Sequence, residues 1–205
     1  GGASGGVPRP EQMERVFQEG GKYVDTPYAP VALFRMAEAS KKLGDTDAAR
    51  EYSRKAADKA WSSESLAVEV LLRVYMLLGE DEVAAYCRSR LAAEPDSRAA
   101  YFVLFNLAMT RGRYDEAVGY IDQCIRLSGA DTQAGIEHAL RKADLLTAAY
   151  GRTSDKAYLA KAVAVYESLR AKMPNNPSVL NNLAYLLAQE DGRLAEALEY
   201  ARTAV

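Results

Sequence analysis

The sequence predicts an all-α fold built from consecutive helical hairpins, and three observations lead to this prediction. Apolar residues recur at the i, i+3, i+4 and i+7 spacing that places them on one face of a helix. Glycine, proline or asparagine interrupts this pattern at short intervals, as is typical of helix ends. The paired segments also recur at a fixed period, which indicates an array of equivalent hairpins.

Residues 175–205 show the hairpin most clearly. Asn176 and Pro177 are expected to begin its first helix, because asparagine caps free backbone N–H groups and proline suits the first helical position. The apolar stripe of this helix comprises Leu180, Leu183, Ala184 and Leu187. Residues 191–193 interrupt the pattern, and a second stripe follows with Leu194, Ala197, Leu198 and Ala201.

The same reasoning predicts helices throughout the rest of the chain. A short N-terminal helix, with Met13, Val16 and Phe17 on one face, is expected before Gly20. Leu43 and Leu72 are expected on buried stripes. The predicted helices after the N-terminal one are a hairpin over residues 30–61 that turns at residues 44–45, and segments 66–78, 81–93, 97–110, 114–127, 132–150 and 156–173.

Two series of markers define the period of the repeat. The small residue early in each second helix gives the series Ala49, Val83, Ala117, Ala162 and Ala197, with intervals of 34, 34, 45 and 35 residues. The residue that ends each second helix gives Pro27, Trp61, Pro95, Gly129 and Pro174, with intervals of 34, 34, 34 and 45. The one long interval has 11 extra residues, about three helical turns, and predicts a lengthened first helix in residues 132–150.

The chain resembles the tetratricopeptide repeat (TPR) family. A period of 34 residues for paired helices is that of the family, and its signature residues stand here as Asn182-Leu183-Ala184, Gly192, Ala197 and Ala204. Ankyrin repeats have a similar length, but their Thr-Pro-Leu-His turn is absent. The resemblance covers residues 30–205 and implies a right-handed α-α superhelix whose first helices line a concave face.

This interpretation divides the chain into residues 1–9, with the composition of a flexible linker or tag, and a repeat array over residues 10–205. The array contains about five helix pairs after the N-terminal helix. That helix is either separate or the second half of a degenerate repeat, with Arg15 at the small position. At the other end, we expect the array to be truncated, leaving Leu186, Leu194 and Leu198 uncovered and available for self-association.

A non-catalytic protein-interaction scaffold is the leading functional interpretation, with a peptide or partner segment bound on the concave face. The alternative is the helical-repeat regulatory portion of a larger enzyme whose catalytic domain lies outside this chain. The residues expected to face the partner are Phe34, Glu38, Glu69, Arg73, Met76, Phe102, Asn106, Asn181 and Tyr185. In TPR domains that bind the C-termini of chaperones, Lys and Asn are expected at the positions that Phe34 and Glu38 occupy here. This difference argues against a chaperone C-terminus as the ligand.

Catalytic, metal and cofactor sites are not expected. The single histidine, His138, rules out a zinc site built from two histidines, and no phosphate-binding loop or nucleophile motif occurs. Cys87 and Cys124 fall on core stripes, where cysteine behaves as a small hydrophobic residue.

Composition constrains the partners. Lys+Arg of 26 against Asp+Glu of 28 gives a net charge of -2, which disfavours nucleic acid, including RNA binding by pentatricopeptide-like repeats. No run of 18 apolar residues is present, so membrane insertion is not expected. The expected partner is therefore a protein or peptide, and the cellular compartment is not determined by the sequence.

Overall fold

The structure is a computed structural model that describes residues 10–190 and 192–204. In these residues the regular secondary structure consists of eleven α-helices, without a strand, which confirms the all-α prediction. The predicted linker of residues 1–9 lies outside the described residues. The helices are α1 (Pro10–Gly21), α2 (Ala29–Lys42), α3 (Thr46–Ala60), α4 (Glu64–Leu78), α5 (Glu80–Ala93), α6 (Arg98–Thr110), α7 (Tyr114–Ser128), α8 (Gln133–Thr153), α9 (Lys156–Lys172), α10 (Pro177–Leu187) and α11 (Leu194–Thr203).

Side-chain caps fix several helix starts close to where the sequence predicts them. The Asn176 side chain accepts a hydrogen bond from the backbone N–H of Val179 at 3.1 Å, which begins α10. Asp45 caps α3 in the same way, through the N–H of Ala48 at 2.9 Å. These caps satisfy backbone donors that have no partner within the helix, so polar residues in the preceding turns fix where α3 and α10 begin.

The long repeat interval is divided between two helices. α8 has 21 residues, eight more than the 13 of α6, so it is longer by about two turns. The start of α9 is also extended, since Ala162 lies six residues after the first residue of that helix, whereas Ala117 lies three after the first residue of α7. The predicted turn at residues 151–155 is too long, because α8 continues to Thr153 and ends at Ser154, which has a left-handed φ of 57°.

The chain divides into two compact units, residues 1–103 and 104–205, with the boundary inside α6. In the first unit, α2 packs against both α3 and α4, and α4 packs against α5. A single residue, Gly79, joins α4 to α5 with a φ of 92°, a left-handed conformation that residues with a side chain rarely adopt. The packing of α2 against α4 places two first helices side by side in this unit.

In the second unit, α8 packs against α7 and α9, while α10 packs against α9 and α11. Its core cluster contains Leu146 from α8, Leu159 and Val163 from α9, and Leu183 and Leu187 from α10. Each helix contributes one apolar stripe, as the spacing of the sequence predicts.

The small residues of the repeat lie in the interior of the helical packing. All five are buried in the structure, which confirms the series that defines the period. These residues are Ala49, Val83, Ala117, Ala162 and Ala197.

Three leucines differ from the sequence prediction. Leu43 and Leu72 were expected on buried stripes but are exposed: Leu43 follows the last residue of α2, and Leu72 lies at the edge of the α4 stripe. Leu186 was expected to be uncovered but is fully buried, because it joins the core cluster of the second unit. Leu194 and Leu198 are exposed, as expected.

The N-terminal helix packs against α2 through a different residue from the one that the period predicts. Arg15 is exposed, whereas Gly20 is buried, and a Cβ atom at Gly20 would lie 3.0 Å from the Met36 side chain. Phe17 contacts Tyr52 of α3, with 5.9 Å between the ring centroids. α1 also ends at Gly21, well before Pro27, so its register departs from that of the other second helices.

Candidate protein-interaction site

The residues predicted to face a partner all lie on first helices, namely α2, α4, α6 and α10. One of them, Phe34, does not present its side chain to solvent, because it is buried in the core of the first unit. The apolar stripe of α2 is wide enough to include Phe34 beside Leu33 and Ala37. Its position therefore differs from the sequence expectation.

Four of the predicted residues lie on the adjoining helices α2 and α4, and we name them the first-helix face: Glu38 on α2, and Glu69, Arg73 and Met76 on α4. Glu69, Arg73 and Met76 follow one another at helical spacing along α4. Met76 is 82% exposed, the most exposed of the large hydrophobic side chains in the described residues. An exposed methionine between charged groups is typical of adaptable protein-binding surfaces.

The charged residues of the first-helix face form ion pairs within their own helices. Arg73 donates to Glu69 at 2.8 Å, and Arg35 donates to Glu38 at 2.8 Å. Such pairs at exposed positions contribute little to stability, on the order of 0.3–0.5 kcal/mol. A partner can therefore replace one member of a pair at little energetic cost to the fold.

The remaining predicted residues lie on α6 and α10. Phe102 and Asn106 of α6 are half-buried. On α10, Asn181 and Tyr185 are exposed and lie four residues apart, so they share one face of that helix. In the second unit these two side chains place an amide and an aromatic ring on one exposed face of α10.

A groove that sequence reasoning missed lies between α1 and α2, in the first unit. It has a volume of about 720 Å³, and Val16, Gly20 and Tyr23 of α1 line one side of it. Tyr28, Val31, Ala32 and Ala39 line the other side, toward α2. We name this feature the α1–α2 groove.

Aromatic and charged side chains surround the α1–α2 groove. The rings of Tyr23 and Tyr28 meet edge to face, with 6.4 Å between their centroids. Glu19 accepts from Lys22 at 2.7 Å, and this hydrogen bond lowers the pKa of Glu19. Two exposed tyrosines on either side of Pro27 were the available signal in the sequence, but the groove itself depends on how α1 packs.

The two cysteines are buried, and the histidine is half-buried. Burial raises the pKa of Cys87 to about 12, so this thiol is protonated at neutral pH. Cys124 is also buried, and His138 is half-buried on α8. Among residues 10–190 and 192–204, no group of three or more His, Cys, Asp or Glu side chains could hold a metal ion.

No helix in the described part of the chain combines the length and the apolar composition needed to cross a membrane.

Comparison with known proteins supports the repeat assignment. Residues 30–58 match the family model described as tetratricopeptide repeat, and these residues form most of the α2–α3 hairpin. No curated protein matches the chain. The resemblance to the TPR family, first inferred from the period and the signature residues, is thus confirmed for this hairpin.

Solved structures of helical-repeat proteins share the fold. A structure titled MamA AMB-1 has a TM-score of 0.51 at 19% identity, covering 87% of this chain and 91% of that chain. A second MamA crystal structure has a TM-score of 0.53 at 13% identity, covering 82% and 92%. BtubC (BKLC) from P. vanneervenii has a TM-score of 0.54 at 18% identity, covering 95% and 87%. At these identities the similarity shows the fold.

Proposed function

We propose that this chain is a non-catalytic protein–protein interaction scaffold that binds a peptide or a segment of a partner protein along its first helices. The observation that carries the proposal is the first-helix face, where α2 and α4 lie side by side with exposed side chains. The TPR match at residues 30–58 supports this assignment, because arrays of paired helices commonly serve as binding surfaces.

The chemistry of the first-helix face suits an extended peptide. Met76 offers apolar contact area, and the Arg73 guanidinium can donate two parallel hydrogen bonds to a carboxylate or a backbone carbonyl. Glu38 and Glu69 can accept from backbone N–H groups or from basic side chains. We therefore expect a ligand with one apolar anchor residue next to a carbonyl or carboxylate that meets Arg73 and a hydrogen-bond donor that meets Glu38 or Glu69.

Selection from a random 12-residue peptide library displayed on phage, followed by calorimetric titration, tests the proposal. We expect Arg73→Ala and Met76→Ala each to weaken selected peptides by about 5- to 30-fold, which corresponds to about 1–2 kcal/mol for hot-spot side chains. Lys55→Ala is the matched control. Lys55 pairs with Glu51 in the same i,i+4 arrangement as Arg73 with Glu69, but on the second helix α3.

The outcome is decisive either way. Peptides that lose affinity with Arg73→Ala and Met76→Ala, but not with Lys55→Ala, support the first-helix face as the binding surface. Peptides whose affinity is unchanged by both substitutions would show that binding, if any, takes place elsewhere on the chain.

A further inference from the structure

A lysine at the end of α2, next to the first-helix face, defines the kind of peptide that this face selects. We infer that Lys42 binds an aspartate or glutamate side chain of the partner segment, while Met76 contacts an apolar residue two positions away in that segment. The inference rests on the proposed function and deepens it, because it adds a residue to the same site and names an acidic peptide as the ligand.

The repeat period relates the positions of α2 and α4. The interval of 34 residues between Ala49 and Val83 makes each residue of α2 equivalent to the residue 34 positions later, in α4. Burial follows this equivalence at four positions along the apolar stripes of the two helices. The buried pairs are Leu33 and Ala67, Met36 and Val70, Ala37 and Leu71, and Ser40 and Val74.

The same equivalence relates Lys42 to Met76. Short connections, residues 43–45 and 61–63, join α2 to α3 and α3 to α4, so consecutive helices run antiparallel and the two first helices run in the same direction. Lys42 is exposed near the end of α2, and Met76 is exposed near the end of α4. A cation and an apolar side chain therefore stand at equivalent positions on two helices that pack against each other.

Lys42 carries the charge that the ion pairs on these helices leave uncompensated. Arg35 binds Glu38 and Arg73 binds Glu69, so these four charges cancel in pairs. Lys42 forms no ion pair or hydrogen bond with residues 10–190 and 192–204. Its ammonium group can donate to a ligand carboxylate without breaking a bond within the protein. The surface is therefore complementary in charge to an acidic peptide.

The separation of the two helices determines the spacing of the ligand residues. The axes of packed helices lie about 8–10 Å apart. In an extended peptide, side chains two positions apart point to the same side and are separated by about 6.6 Å. The long side chains of Lys42 and Met76 span the difference. A peptide that crosses from α2 to α4 can therefore place an acidic side chain on Lys42 and an apolar side chain two positions away on Met76.

The carboxylate is that of an internal side chain rather than the end of the peptide. Lys42 also lines the α1–α2 groove, on the side of α2 where Arg35 and Glu38 lie. A bound peptide therefore has room to continue past its acidic residue, in the direction away from Met76.

Calorimetric titration of synthetic peptides tests the inference. The peptides are 12-residue sequences selected on the parent chain, synthesised with an amidated C-terminus, and we expect them to carry Asp or Glu two positions from an apolar residue. Replacing that acidic residue with Asn or Gln should weaken binding to the parent by about 5-fold. Lys42→Ala should weaken the acidic peptide by the same factor and bind the acidic and amide peptides equally.

Lys41→Ala is the matched control. Lys41 and Lys42 are both exposed and both lie in the last turn of α2, so either substitution removes one positive charge and the same interaction with the C-terminal end of the helix. Only Lys42 is on the side of α2 that carries Arg35 and Glu38. Lys41→Ala should therefore bind the acidic peptide within about twofold of the parent, and thermal unfolding by circular dichroism checks that both variants fold.

Four results would overturn the inference. Peptides that are weakened by Arg73→Ala and Met76→Ala, but not by Lys42→Ala, keep the proposed function and exclude Lys42 from the site. Equal weakening by Lys41→Ala and Lys42→Ala reduces the effect to net charge. Binding by the free-acid form of a peptide but not by its amidated form assigns the carboxylate to the end of the ligand. A parent chain that selects no peptide overturns the proposed function together with this inference.

Discussion

At the scale of single residues, Tyr166 links three helices of the second unit. Its side chain is buried, and its hydroxyl donates to Asp144 of α8 at 2.7 Å and accepts from Asn182 of α10 at 2.9 Å. Burial, followed by the hydrogen bond to Asp144, raises the pKa of Tyr166 above its usual value. A single phenol on α9 therefore fixes the relative positions of α8, α9 and α10.

We predict that Tyr166→Phe destabilises the chain by about 1–3 kcal/mol, because Asn182 and Asp144 lose their shared partner. Urea unfolding followed by circular dichroism measures this change. Tyr185→Phe is the matched control, since Tyr185 is exposed and should tolerate the same change within about 0.5 kcal/mol. Equal effects of the two substitutions would contradict a structural role for the Tyr166 hydroxyl.

The raised pKa gives the Tyr166 prediction a second readout. The neutral phenol is favoured in the folded state, so its contribution is complete below the unfolded pKa of about 10 and is lost as the pH rises above that value. The parent should therefore lose stability above pH 10 more steeply than Tyr166→Phe.

At the scale of helices, two glycines should respond in opposite ways to alanine. A Cβ atom at Gly135, near the start of α8, would lie 2.1 Å from the carbonyl oxygen of Gly129. At Gly119, in α7, the same Cβ atom would meet nothing within 4 Å. Close packing therefore requires glycine at position 135. Gly119, in contrast, lowers the stability of α7 without a packing benefit.

We predict that Gly135→Ala costs about 1–3 kcal/mol by overpacking, while Gly119→Ala adds about 0.5–1 kcal/mol through helix propensity. Thermal melting of the two variants beside the parent provides the measurement. A stabilising Gly135→Ala would mean that α8 begins farther from Gly129 than the structure shows.

The helices themselves were largely predictable from the sequence, because a helix end depends on nearby residues. Asn176, Asp45 and the small residues such as Ala117 determine starts and close packing through local chemistry. The edges of the apolar stripes were less predictable. Leu72 and Leu186 were misassigned because the burial of a residue at the edge of a stripe depends on which neighbouring helix reaches it.

At the scale of the whole molecule, the candidate surfaces differ in how much the sequence reveals. The repeat period places Glu69, Arg73 and Met76 on a first helix, and the structure finds them exposed on α4. The α1–α2 groove was not predictable, because α1 packs through Gly20 rather than through the position of Arg15. The register of an irregular helix is decided by tertiary contacts, which a repeat period does not report.

Net charge is a property of the whole chain and yields the last prediction. With 26 basic and 28 acidic residues, the chain lacks the excess positive charge that drives binding to phosphate backbones. We expect no saturable binding of fluorescein-labelled single-stranded RNA at low salt, as measured by fluorescence anisotropy. The double variant Glu51→Lys and Glu199→Lys raises the net charge from -2 to +2 and shows whether the assay responds to charge. Tight binding by the parent that weakens as salt is added would place the chain among RNA-binding helical repeats, and would require a local basic surface that acts despite the acidic total.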